Sequence, residues 1–384
     1  MYRHSVKAFR KGLAVSESAW LSIDLNAIIK NYRTLQKLAS TADVMATVKA
    51  DAYGLGIEEV APALAKAGCQ SFFVALVSEG AELRRILDDH GLSGQIYVLN
   101  GYEEGAEMAF RAANLIPVLN SMTQVSNWIA NDLDTPTALH IDTGMNRLGV
   151  TPEDAQNLSK TQIRDLNLTL VMSHLACADA PNDPKNEEQR NLFETLSKPF
   201  NGIRKSLSNS AGVLLGEAYH FDVVRPGLAL YGGAPSIAKS IEFEPVVTLS
   251  SKIIQVRQID KDQTVGYGAT YRASGPERVA TLGLGYADGF RWGLGGKARG
   301  FIGETEVPVL GRISMDLTAI DVTNAAAEAG ARVTLLDNRI TINEAAELAG
   351  TIPYEILTGL GHRMPRTYIS VDSNSASPEA GGQS

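Results

Sequence analysis

The stretch VMATVKADAYGLGIEEVAPALAKAGCQSFFVALVSEGAELRRILDDHG (residues 44–91) contains one pattern twice: a short apolar run followed by an amphipathic helical stretch. The runs VMATVKA (44–50) and SFFVALV (71–77) are apolar at consecutive positions rather than at alternate ones. A strand of that kind is buried on both faces, and two such strands separated by a helix predict neighbours in a helix-covered parallel sheet. The helices are GIEEVAPALAKAG (56–68) and EGAELRRILDDHG (79–91).

Outward from this pair the pattern continues through QIYVLN (95–100), LIPVLN (115–120), TALHID (137–142) and LTLVMSHLA (168–176). A weaker run, LSNSAG (207–212), precedes a last strong one, VVRPGLALYG (223–232), and NEEQRNLFETL (186–196) is a further helix. Eight strands within about 210 residues fit a closed (β/α)8 barrel better than an open sheet. Past residue 244 the texture changes to strands divided by Gly and Pro turns: VVTLSSKIIQV (246–256), RVATLGLGY (278–286), EVPVLGRI (306–313) and RVTLLD (332–337), with one helix, INEAAELAG (342–350). The prediction is an α/β fold, an N-terminal (β/α)8 TIM-type barrel over 21–244 followed by a mostly β domain over 245–371. The arm 1–20 precedes them, and its end (SAWLSIDL, 18–25) can pair into the β domain. The small, polar, aperiodic tail 372–384 reads as disordered.

Composition narrows the function. The chain has 384 residues, 44% hydrophobic and 20% charged, as expected of a soluble protein with more than one core. A net charge of -8 argues against nucleic-acid binding, which needs basic surface. No apolar run has the length of a membrane span. The two cysteines, Cys69 and Cys177, lack metal-ligand spacing, so no metal is expected, and such sparse use suits the cytoplasm.

In a barrel of this kind Lys49, Tyr53, Arg147, His174, Ser210 and Arg225 all fall at or just after strand ends, and the C-terminal rim is where barrel enzymes keep their sites. Lys49 ends a buried strand in VKADAYGLG (48–56). Burial favours a neutral, nucleophilic amine, although a lone strand-end lysine can equally snorkel to solvent.

VKADAYGLG resembles the cofactor-lysine signature of the alanine racemase family. The resemblance continues through IDTGMNRLG (141–149), SHLACAD (173–179), NSAG (209–212), VRPGLALYGGAP (224–235), VGYGATYR (265–272), GLGYADG (283–289) and GRISMD (311–316), from about residue 18 to 370 in the family's order. It implies a pyridoxal 5'-phosphate enzyme interconverting L-alanine and D-alanine, either supplying D-alanine for peptidoglycan or degrading it. Lys49 would carry the cofactor as a Schiff base and act as one acid/base group. Tyr267, from the partner subunit of a homodimer, would be the other, because racemisation needs groups on opposed faces of the α-carbon.

By the same resemblance Arg225 would face the pyridine nitrogen, where a guanidinium that scarcely releases its proton keeps the ring a weak electron sink. Tyr53, Ser210 and the backbone amides of Gly227 and Leu228 would hold the phosphate, and His174 would link Arg225 toward the catalytic tyrosine. Arg147 would bind the substrate carboxylate. Met315 and Asp316 would shape the substrate site, and Tyr286 would gate its entrance.

Two positions depart from the family pattern. His140 stands where many members carry a lysine modified to a carbamate that orients the arginine, so Arg147 is expected to be held by His140, an ion or another acid. His362 in GHRMPR (361–366) stands where a phosphate-binding tyrosine is frequent, and histidine can still donate to phosphate. Competing readings are a serine or broad-specificity racemase, an amino-acid decarboxylase on the same barrel, and a non-catalytic cofactor-binding barrel. Decarboxylases keep an acidic partner at the pyridine nitrogen, and non-catalytic barrels lack the β domain.

Overall fold

The structure is a computed structural model that describes residues 17–131, 135–158, 160–235 and 241–370. Most of the expected arm and the tail 372–384 lie outside the described residues. The chain divides into two compact units, one formed by 24–246 and the other by the segment up to Ile23 together with Val247–Ile369.

Strand β1 (Ala19–Asp24) leads into α1 (Leu25–Leu38), whose start is fixed by the Asp24 carboxylate accepting from the Asn26 and Ala27 amides. The barrel strands are β2 (Asp43–Val44), β3 (Ala46–Thr47), β4 (Ser71–Val74), β5 (Gln95–Val98), β6 (Leu115–Leu119), β7 (Thr137–His140), β8 (Leu168–Met172), β9 (Arg204–Ser206) and β10 (Val223–Val224). Segments β2 and β3 are two halves of one strand interrupted at Met45, so nine segments make eight strands. All pairs are parallel, and β10 pairs back onto β2, which closes the sheet. Met45, Phe73, Tyr97, Val118, Ala138, Leu170, Met172 and Val223 pack together as one buried cluster. The fold class predicted from the consecutive apolar runs is therefore the one observed.

Outside the strands run α2 (Ile57–Lys66), α3 (Val77–Asp89), α4 (Glu107–Ala112), α5 (Met122–Ala130), α6 (Pro152–Asn157), α7 (Lys160–Asp165), α8 (Pro184–Leu196) and α9 (Ser210–Leu215). Their starts are written in the sequence. Ser121, Thr151, Asp183 and Asn209 each accept a first-turn amide, and Pro152 and Pro184 sit at the first helical position, where no N–H is needed.

Two strands differ from expectation. The run 207–212 is not a strand: β9 lies just before it, and Asn209 uses its side chain to cap α9 instead. In 223–232 the strand stops after Val224, because Pro226 lacks the amide a ladder requires, and Leu228–Tyr231 turns into a 3-10 helix.

In the other unit, the thirteen-residue β11 (Val247–Ile259) pairs with β1 on one side. A short hairpin, β12 (Thr264–Val265) and β13 (Tyr271–Arg272), carries the segment between them. Then follow β14 (Glu277–Leu282), β15 (Arg299–Ile302), β16 (Thr305–Leu310), β17 (Thr318–Asp321) and β18 (Arg332–Leu336). The order β14–β17–β16–β15–β18–β11, with β14 also paired to β11, closes six antiparallel strands into a ring that leaves those strands no free edge. Two helices follow rather than the one expected: α10 (Ile342–Ala349), capped by Thr341, and the short α11 (Pro353–Thr358), begun by a proline. The last strand, β19 (Arg366–Ile369), lies beyond β1.

Candidate active site

The polypeptide leaves β3 in an unusual way. Ala50, Asp51, Ala52 and Tyr53 all have φ between 53° and 58°, so the residues after Lys49 form a left-handed turn. For residues bearing a Cβ that conformation costs about 1–2 kcal/mol each, so surrounding contacts must enforce it. They are present. The Glu79 carboxylate accepts the Ala50 amide at 2.6 Å, the Asp51 carboxylate accepts the Ile57 amide at 2.8 Å, and the Gly54 amide donates to the Ala50 carbonyl. Burial, with the charge of Arg147, pushes the Lys49 ammonium below its ordinary pKa, and Glu79 acts in the opposite direction.

Arg225 directly follows β10 and is buried. Its guanidinium donates to the Ser206 hydroxyl, to the Ser173 carbonyl at 2.6 Å and toward His174 Nδ1 at 3.4 Å. No carboxylate pairs with it among the described residues, and burial pushes its pKa down to about 9. His174 is driven well below the usual histidine pKa by burial and by Arg225, so it is neutral and its Nδ1 is an acceptor.

His140, at the end of β7, has Nδ1 2.8 Å from the Asn120 side-chain oxygen. Asn120 donates both amide protons to the Leu99 and Val118 carbonyls, so its oxygen faces the ring and His140 must carry its proton on Nδ1. That leaves Nε2 as an acceptor. No hydrogen bond joins His140 to Arg147 among the described residues; the ring is held by Asn120. Arg147 is exposed on a loop whose Gly144, Met145 and Asn146 amides all converge on the Asp142 carboxylate.

On the β9 and β10 side, the Ser210 hydroxyl accepts the amides of Gly227 at 2.9 Å and Ala229 at 3.2 Å. A Cβ on Gly227 would collide with the Tyr53 hydroxyl, so only glycine permits this approach. The Tyr53 ring packs on Tyr231, centroids 4.8 Å apart, and the Tyr231 hydroxyl donates to the Thr47 carbonyl. Leu228 opens the 3-10 turn, whose first backbone amides have no partner within the turn itself. Lys49, Tyr53, Arg147, His174, Ser210, Arg225, Gly227 and Leu228 thus all follow C-terminal strand ends of one barrel.

The remaining candidates belong to the β unit. Tyr267 begins a short 3-10 turn after Gly266 and is 71% exposed. Tyr286 and Met315 are exposed on adjoining segments, the Tyr286 and Ala287 amides donating to the Ser314 and Met315 carbonyls. Arg363, next to the exposed His362, ties these segments together through ion pairs of 2.8 Å to Asp288 and 2.9 Å to Asp316.

Four residues that hold these candidates in place go unmarked in the sequence: Glu79, Asn120 and Gln189 in the barrel unit, and Arg363 in the β unit. From α8, the buried Gln189 donates to the Thr143 hydroxyl at 3.2 Å and the His174 carbonyl at 2.9 Å, and accepts the Ala176 amide at 2.8 Å. It joins the loops after β7 and β8. Only Arg363 lies within a motif that could have flagged it.

Comparison with known proteins gives one answer for both units. The family model described as alanine racemase, N-terminal domain, matches residues 23–235, and that described as alanine racemase, C-terminal domain, matches residues 246–368. A protein named alanine racemase from Rhodospirillum rubrum is 44% identical over 368 residues, covering 93% of this chain and 98% of that protein. One of the same name from Methylobacterium nodulans is 44% identical over 369 residues, covering 94% and 99%. Among solved structures, alanine racemase from Bartonella henselae with covalently bound pyridoxal phosphate is 34% identical, with a TM-score of 0.87 over 92% of this chain and all of that one.

Proposed function

Because the chain belongs to the alanine racemase family, we propose that it interconverts L-alanine and D-alanine with pyridoxal 5'-phosphate, as a cytoplasmic homodimer. The observation that carries this reading is the pair formed by a half-buried Lys49, held at the left-handed turn after β3, and a buried Arg225 without a carboxylate partner among the described residues. The donor set fits the cofactor. Lys49 offers an amine held toward neutrality, the glycine-only approach at Gly227 leaves backbone amides beside Ser210 and Tyr53, and Arg225 offers a guanidinium to a ring nitrogen.

What pyridoxal phosphate supplies when bound is an electron sink that makes the α-proton of an amino acid removable. The rest is done by side chains. Lys49 would hold the cofactor and, once released, move a proton on one face of the α-carbon. Tyr267 of the partner subunit would serve the opposite face. Arg225 scarcely donates a proton, which would keep the sink weak and limit side reactions. Tyr53, Ser210, Gly227, Leu228 and His362 would hold the phosphate. Arg147 would pair with the substrate carboxylate, with neutral His140 as a local acceptor rather than an anion. Met315 would shape the substrate site and Tyr286 its entrance.

Dimerisation is supported by the β unit's surface, where Tyr267, Tyr286, Met315 and Leu317 are exposed. The cytoplasmic reading is supported by the two free cysteines, Cys69 and Cys177. Among the described residues no helix is long and apolar enough to cross a membrane.

The test is the visible spectrum of protein purified with the cofactor, borohydride reduction with peptide mapping, and a chiral assay of L-alanine beside L-serine. Expected are cofactor trapped on Lys49 and D-alanine formed faster than D-serine. Equal serine turnover would move the assignment to a broader racemase. Cofactor bound without racemisation, or folded protein that binds none, would overturn it.

A further inference from the structure

We propose that Glu79 is a positioning residue for Lys49: its carboxylate bridges the left-handed turn after the lysine to the end of the neighbouring strand and fixes where the amine stands. One carboxylate oxygen accepts the Ala50 amide at 2.6 Å, and the other accepts the Ala75 amide at 2.7 Å and the Leu76 amide at 3.1 Å. Three N–H donors thus converge on a single anion, an arrangement in which hydrogen bonds to charge are strongest. The geometry is specific. Ala50 is the first residue of the strained run and its amide belongs to the peptide bond of Lys49, so the bond acts on the lysine's own backbone. Ala75 and Leu76 directly follow β4, which pairs in parallel with β3, Thr47 against Phe73. Glu79 itself lies in the first turn of α3, where a negative charge is favoured by the helix as well.

The carboxylate has a second consequence. The charged or titratable groups acting on Lys49 are Arg147 and His174 from the loops after β7 and β8, and Glu79 from α3. Arg147 and burial both disfavour the ammonium, and Glu79 alone counters them. A group that must take up a proton as well as release one needs that counterweight, or its amine would be too weak a base to be reprotonated.

This inference rests on the reading of Lys49 as the cofactor lysine, and its test does not need that reading to succeed. In full-length protein freed of cofactor, Glu79→Gln is compared with wild type by amide hydrogen exchange and by the pH dependence of Lys49 labelling with an amine reagent, read by mass spectrometry. Glutamine keeps the size but has only one acceptor oxygen, so it can serve Ala75 and Leu76 or Ala50 but not both. Expected are at least tenfold faster exchange at Ala50, unchanged exchange in α8, and Lys49 labelling whose midpoint moves to lower pH. Glu79→Asp, shorter but charged, should retain the midpoint better than the exchange protection. With pyridoxal phosphate added back, Glu79→Gln should bind it about tenfold more weakly. Unchanged Ala50 exchange and an unchanged labelling profile would overturn the proposal, as would a uniform rise in exchange across the whole barrel. If Glu79→Gln gives both responses while wild-type protein never binds the cofactor, the positioning role stands and the function is refuted.

Discussion

His140 and His174 are the two histidines in the barrel site that folding keeps neutral, and this has a measurable cost in acid. Burial lowers the His140 pKa from 6.5 to about 4, with the nearby guanidinium of Arg225 adding to the effect. As pH falls through that window the unfolded chain takes up a proton that the folded chain refuses. Stability is therefore complete above the unfolded value and is lost on acidification, at about 1.4 kcal/mol per pH unit for such a group. His140→Gln removes this proton uptake. Urea unfolding at pH 6.5 and pH 5 should show the wild type losing about 1.5 kcal/mol more than the variant over that interval, because at pH 6.5 the unfolded histidine is already half protonated. Equal losses would mean that His140 ionises freely in the fold. The residues proposed for chemical roles are legible in sequence because each sits in a local motif, Lys49 in VKADAYGLG and Arg225 in VRPGLALYG. Asn120, which fixes the His140 tautomer, was not, because it acts across 20 residues of chain and belongs to no pattern of its own. The same gap explains why His140 stands among the expected holders of Arg147, beside an ion or another acid: its actual partner can be read only once β6 and β7 are side by side.

At the scale of elements, Gln189 shows how a helix on the outside of a barrel controls loops at its rim. It is fully buried and spends three hydrogen bonds on Thr143, His174 and Ala176. Gln189→Leu keeps the volume and strands those partners, each at about 1–3 kcal/mol where buried. Relaxation recovers part of this, so a net loss of about 2–5 kcal/mol is expected by calorimetry. The KM for alanine should rise as the loops carrying Arg147 and His174 slacken. A variant as stable as wild type would show that the loops hold themselves. Periodicity made the strands legible where apolar runs are long, as in β4 and β6, and failed where they are brief. The three-residue β9 carries Arg and Lys and is a strand only because β8 and β10 flank it. The six-stranded ring of the β unit was read as separate strands, since closure depends on β11 bending to pair with β1, β14 and β18. No window of sequence reports that bend.

At the scale of the whole molecule, the proposal that each site borrows Tyr267 from a partner makes a prediction that no single-chain arrangement shares. Lys49→Ala and Tyr267→Phe should each reduce racemisation by about 10²–10⁴-fold, the usual weight of a positioned acid/base group. Now let the two inactive proteins be mixed, dissociated and allowed to reassociate at equal concentration. Half of the resulting dimers pair one chain of each kind. In such a dimer one site receives both substitutions and is dead, whereas the other combines an intact Lys49 with an intact Tyr267 from the opposite chain. One intact site in half of the dimers restores about a quarter of wild-type activity, the fraction that two-fold symmetry and random pairing dictate. If Tyr267 served the barrel of its own chain, every site in every mixed dimer would carry one substitution and mixing would restore nothing.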